Sequence, residues 1–216
     1  MKESSIYGEY KQFLNPVLSE VVEKIHQRNR EYMESTGKNL FEHISSRIKT
    51  EKSMEEKCKR RGLALEADSA LRRIQDAVGI RIICGFVDDI YKMAEEIAKI
   101  EGIQVVKEKN YVLNAKPNGY RSYHMILDYE SEYPDCLGRE RGHYFIEVQI
   151  RTLAMDSWAS LEHQIKYKQN IKNEERITKE LKRCADELAS CDISMQTIRN
   201  LIEKAGEENE DSTGGR

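Results

Sequence analysis

Residues 79–87 read GIRIICGFV. An apolar, β-branched run of this length predicts a buried strand. On its C-terminal side Asp88 is placed to cap a helix, in which Ile90, Met93, Ala94, Ile97 and Ile100 share one face before Gly102 stops it. On its N-terminal side Asp68 can cap a short helix through Ile74, which puts a helix-to-strand junction near Asp76. Further strands are expected at 103–108, 111–113, 121–129 and 143–151, with the Lys-Pro-Asn-Gly loop at 116–119 and the stretch around Pro134 and Gly138 as turns. Helices before, between and after strands predict an α/β (α+β) fold with a mixed sheet flanked by helices.

The flanks are helical. From about Tyr7 to Met33, Phe13, Leu14, Val17, Leu18, Val21, Val22 and Ile25 follow helical spacing, with Pro16 marking a kink or a late start. EKSMEEKCKRR (51–61) predicts a second helix, with Thr50 as N-cap and Gly62 just past its end. From about Asn173 to Glu203 one long helix carries Ile177, Leu181, Cys184, Leu188, Cys191, Met195, Ile198 and Ile202 at heptad spacing. That stripe either packs on the N-terminal helix or mediates self-association. Residues 206–216, GEENEDSTGGR, read as a disordered tail.

With 35 basic and 38 acidic residues, a formal charge of −3 argues against a protein built mainly to coat nucleic acid. Five scattered cysteines without a Cys-x-x-Cys pair suit neither a disulfide framework nor a zinc site. No apolar run approaches the roughly 20 residues of a membrane span, and the start lacks the apolar core of a signal peptide, so a cytoplasmic location is expected.

Three segments carry candidate chemistry. In HYFIEVQIRT (143–152) strand alternation puts Glu147, Gln149 and Arg151 on one face, either solvated or turned to a ligand. NGYRSYHMIL (118–127) leads from a turn into a strand and offers Tyr120 as a ring on which a base can stack, although tyrosines and histidines there also suit plain packing. Arg47, Lys49, Lys52, Lys57, Lys59, Arg60 and Arg61 cluster with Ser53 on and before the second helix; interleaved glutamates allow a solvated face, while the cations suit a triphosphate.

Together RIKTEKSMEEKCKRRG, IQDAVGIRIIC, KPNGYRSYH and IEVQIRTLAMDSWASLEH followed by KYK, in that order from Arg47 to Lys168, resemble the synthetase domain of the RelA/SpoT family in its single-domain form, the small alarmone synthetases. The resemblance implies a nucleotidyltransferase-like fold divided into an N-terminal helical segment (1–40), a catalytic domain (41–170), a long C-terminal helix (171–205) and a tail. It implies transfer of pyrophosphate from ATP to the ribose 3′-hydroxyl of GDP, GTP or GMP with release of AMP, and no hydrolase, whose separate His-Asp domain has no counterpart here. Asp76 and Glu147 match the family's catalytic carboxylates and its Mg²⁺ ligands. Arg47, Lys49, Ser53, Lys57, Arg60 and Arg81 match its ATP contacts. Lys116, Tyr120, His124, Gln149 and Asp156 match its contacts to the acceptor guanosine nucleotide, Asp156 by accepting from guanine N1–H and N2–H. A homotetramer joined through terminal helices, and an allosteric nucleotide or RNA, are also implied. The alternatives are a related nucleotidyltransferase that releases pyrophosphate, and an inactive nucleotide- or RNA-binding regulator.

Overall fold

The computed structural model describes residues 5–167 and 173–213. Helix α1 (Lys11–Thr36) follows a 3₁₀ turn at Gly8–Tyr10 and buries Leu14, Val17, Leu18, Val21 and Ile25. Pro16 lies inside its second turn, so the helix neither starts late nor stops there. Strand β1 (His43–Ile48) had no counterpart in the sequence reading. Helix α2 (Glu51–Arg61) is bounded as expected: the Thr50 hydroxyl accepts from Ser53 N–H at 3.4 Å, and Gly62 ends it at φ 66°.

Ser69–Arg73 forms one π-helical turn. Asp68 does not cap it; its carboxylate pairs with Arg73 at 3.0 Å. Strand β2 (Val78–Cys84) leads to α3 (Val87–Ala98), where Phe86 takes the cap position. Asp88, expected as the cap, lies with Asp89 in the first turn, where carboxylates favour the positive helix end. Strand β3 (Ile103–Asn110) is continuous; residues 111–113, expected as a strand, form a turn because the Asn110 side chain accepts from Val112 and Leu113 N–H. Strands β4 (Tyr123–Glu130) and β5 (His143–Thr152) precede α4 (Leu153–Tyr167) and α5 (Glu174–Thr213).

The five strands form a mixed sheet in the order β1-β2-β5-β4-β3, parallel only between β2 and β5. Alternation sorts its faces. Val78, Ile80 and Ile82 of β2, Ile146, Val148 and Ile150 of β5, and Met125 and Leu127 of β4 are buried in the core with α1 and α3. Arg81, Glu147, Gln149 and His124 belong to the opposite face.

Among the described residues helix α5 packs chiefly on α4 and α3 rather than on α1. Its apolar stripe divides: Ala185 is buried and Leu188 half-buried against the body, whereas Cys184, Cys191, Met195, Ile198 and Ile202 are exposed. Farther along, polar contacts hold it, with Asp192 accepting from Thr152 Oγ1 at 2.7 Å and Arg199 pairing with Asp89 at 2.6 Å. The helix continues to Thr213, into the segment read as a disordered tail; 214–216, the expected boundary at 170/171 and Lys168 of the KYK match lie outside the described residues. No described helix is long and apolar enough to cross a membrane.

Candidate active site

Strand register builds the site in two rows across the sheet. One row runs Arg47, Gly79, Glu147, Ile126, Lys107 through β1, β2, β5, β4 and β3; the next runs Ser45, Arg81, Gln149, His124, Lys109. A cavity of about 180 Å³ lies over β1, β2 and β5, lined by Ser45, Arg47, Gly79, Arg81, Glu147 and Gln149. A second, of about 320 Å³, is lined by Lys57, Asp76, Lys116, His124 and Glu147, and also by Arg61, Arg73, Lys107, Lys109 and Tyr111. Glu147 lines both.

Asp76 sits just before β2, beneath two lysines. Lys49 Nζ donates to its Oδ2 at 2.6 Å and Lys57 Nζ to the same oxygen. Burial works against both charges of the Lys57–Asp76 pair: it lowers the Lys57 ammonium below its usual range, but at Asp76 the two converging ammonium groups overcome it and hold the carboxyl below the usual carboxylate range. The other oxygen, Oδ1, is buried with no hydrogen-bond partner. Among the described residues no cluster of three or more His, Cys, Asp or Glu gathers to hold a metal alone. A hard cation that takes one or two carboxylates and completes its shell with water and phosphate fits Asp76 and Glu147, and the orphaned oxygen is a donor such an ion would satisfy.

Tyr120 enters from a loop closed by the bond from Gly119 N–H to Lys116 C=O at 2.8 Å. Its hydroxyl lies 2.7 Å from His124 Nε2, and Lys116 Nζ lies over its ring at 4.5 Å. Burial, then the nearby charges of Arg151, Lys116 and Lys109, push the His124 imidazole down to about 4, so it is neutral at pH 7. Gln149 Nε2 donates to Glu147 Oε2 at 2.9 Å. Asp156, at the start of α4, accepts from Arg151 at 2.9 Å and pairs with Arg81 at 3.4 Å, so residues expected on adenine and on guanine meet there.

The fold thus brings together Arg47, Lys49, Lys57, Asp76, Arg81, Lys116, Tyr120, His124, Glu147, Gln149 and Asp156. It leaves two others apart: Ser53 is exposed and accepts from Thr50 Oγ1 at 2.9 Å, and Arg60 is exposed while its neighbour Arg61 lines the second cavity. Lys107, Lys109, Arg73 and Tyr111 escaped the sequence reading, and Arg61 was read only as part of the basic cluster. A register shift at Val106 turns the two lysines onto the site face, whereas strict alternation from Ile103 and Val105 would have put them on the core face. Trp158 is buried and donates to Leu181 C=O.

Two carboxylates among converging cations on one sheet face make the site of an enzyme that handles phosphate groups. The profile of the region found in RelA/SpoT proteins matches residues 46–172. The chain is 38% identical over 175 residues to the GTP pyrophosphokinase YwaC of Bacillus subtilis, covering 81% of each chain, and 33% identical over 165 residues to YjbM, a GTP pyrophosphokinase of the same organism, covering 76% and 75%. The crystal structure of the small alarmone synthetase 1 from Bacillus subtilis bound to its product pppGpp superposes with a TM-score of 0.77 at 29% identity, over 90% of this chain and 98% of that one. The chain belongs to the RelA/SpoT family, and its mixed sheet with flanking helices is the fold of the small alarmone synthetases.

Proposed function

We propose that this chain transfers pyrophosphate from ATP to the ribose 3′-hydroxyl of GDP or GTP, releasing AMP, as a cytoplasmic (p)ppGpp synthetase. The observation that carries this reading is Glu147, the wall shared by the two cavities: a donor in one and an acceptor in the other meet at a carboxylate. Arg47 and Arg81 flank the adenosine end, while Lys49 and Lys57 stand ready to exchange Asp76 for phosphate oxygens. Tyr120 offers its ring to guanine, Asp156 accepts from the guanine edge, and Lys116 faces the acceptor phosphates.

Mg²⁺ held by Asp76 and Glu147 would supply Lewis-acid polarisation of the transferred phosphates. Glu147 takes the 3′-hydroxyl proton as that oxygen bonds to the β-phosphorus; the bond from the β-phosphorus to the bridging oxygen breaks, and its electron pair leaves on AMP. The cations of α2 and β3 stabilise the charge spread over the moving group. Residues 1–40 and 171–205 serve as helical supports for the catalytic domain at 41–170, and the exposed stripe of α5 joins copies into a homotetramer.

The test is ATP labelled at its γ-phosphate with Mg²⁺ and GDP, GTP or GMP in turn. Label at a guanosine 3′ position with equimolar AMP supports the reading, and pyrophosphate release instead of AMP would assign the chain to another nucleotidyltransferase. Folded protein that binds nucleotide without transfer would make it a binding regulator.

A further inference from the structure

Hydrogen bonds lead from Glu147 through Gln149 to a residue to which no role has yet been given, and on through Tyr120 to His124. Arg151 shares a sheet face with Glu147 and Gln149 but is only 4% exposed. A guanidinium has donors and no acceptor, so it sets the direction of every bond it makes. Arg151 Nη2 donates to Tyr120 Oη at 2.8 Å and to Gln149 Oε1 at 2.7 Å, Nη1 donates to Asp156 Oδ1 at 2.9 Å, and Nε donates to Ser122 Oγ at 3.3 Å.

Two branches follow from those donors. Because the Gln149 carbonyl is taken by Arg151, its amide N–H points to Glu147 Oε2 at 2.9 Å. The Tyr120 hydroxyl accepts from Arg151, which leaves its own proton free to go to His124 Nε2, 2.7 Å away. A neutral imidazole that accepts at Nε2 carries its proton on Nδ1, and Nδ1 is the atom 3.8 Å from Glu147 Oε1. Reversal of either branch would set a carbonyl oxygen or a bare ring nitrogen against the carboxylate.

We propose that Arg151 is a positioning residue that fixes the amide orientation of Gln149 and the Nδ1–H tautomer of His124, so that Glu147 meets only N–H groups and keeps its other lone pairs toward the cavities. The inference rests on Glu147 as the reacting carboxylate. The same guanidinium holds Tyr120 and Asp156, so the parts that would grip the acceptor base and the carboxylate that would activate its ribose share one anchor.

The experiment is a two-bond ¹⁵N–¹H correlation spectrum of histidine-labelled full-length protein at pH 7, with the His124 signals assigned by their loss in His124→Gln. Expected is a protonated Nδ1 and a bare Nε2 in the wild type, with mixed tautomers in Arg151→Met and in Tyr120→Phe, which keeps the ring and guards against a misfolded arginine variant. In AMP-release kinetics Arg151→Met and Arg151→Lys should each lose at least thirtyfold in kcat while KM for ATP stays within twofold. A protonated Nε2 in the wild type, or an unchanged tautomer in both tautomer-test variants, overturns the proposal. Full activity of Glu147→Gln would instead overturn the catalytic reading, a failure the spectrum separates from that of the hydrogen-bond path.

Discussion

At the scale of single residues, Asp76 shows how a carboxylate is kept ready. Its folded-state pKa lies below the unfolded value of about 3.9, because two ammonium groups outweigh burial. The stability this contributes is therefore present above the unfolded value and is lost as pH falls through the folded one. Asp76→Asn should unfold at lower urea than the wild type at pH 7, by about 1–3 kcal/mol, and the gap should narrow below pH ~4; a gap constant from pH 7 to pH 3 would remove the ion pairs as its source. Glu147→Gln should lower AMP release by about 10²–10⁴-fold without a change in melting temperature, the range expected when a general base is removed. Both carboxylates were visible in the sequence through their motifs, as was the alternation that aligns Glu147 with Gln149. The role of Arg151 was not, because its partners Tyr120 and Asp156 come from different elements and meet only when the sheet and α4 assemble.

At the scale of elements, the sequence revealed helices and central strands because their periodicity is strong, and it failed where local chemistry overrode pattern. HISSRI of β1 has too few apolar positions to announce a strand; it is an edge strand whose pairing with β2 supplies what its side chains do not. The side chain of Asn110 cut the expected strand at 111–113. On β3, Lys107 and Lys109 reach the second cavity from the far edge of the sheet. Alanine at both should raise KM for GTP at least fivefold more than KM for GMP and leave KM for ATP within twofold, as steady-state kinetics with each acceptor would show. The α5 stripe was legible as heptads, but not which half faced inward. Ile198→Lys with Ile202→Lys should reduce the mass measured by light scattering; an unchanged mass would discard that face as the joint between copies.

At the scale of the whole molecule, the long C-terminal helix frames the loop proposed to hold the acceptor. Gly119 has φ 93°, and a Cβ there would stand 2.5 Å from Ala185 Cβ on α5, so the acceptor loop lies directly against that helix. Gly119→Ala adds a backbone cost to this collision and should destabilise by about 2 kcal/mol, a drop of roughly 4–8 °C in melting temperature. Ala185→Gly in the same chain should recover part of it, and no recovery in a thermal melt would mean that the backbone alone is responsible. The contact joins residues 66 positions apart, which is why neither sequence segment hinted at it.

The wall at Glu147 also has a pharmacological consequence. Two cavities divided by one side chain invite a bisubstrate inhibitor, an adenosine and a guanosine joined by a short polyphosphate bridge that passes over Glu147. Once one half docks, tethering holds the other at millimolar effective concentration, so affinity gained in either cavity multiplies that in the other. Each half alone would have many rival receptors in a cell, whereas the spacing across that single glutamate would belong to enzymes that bring these two nucleotides together.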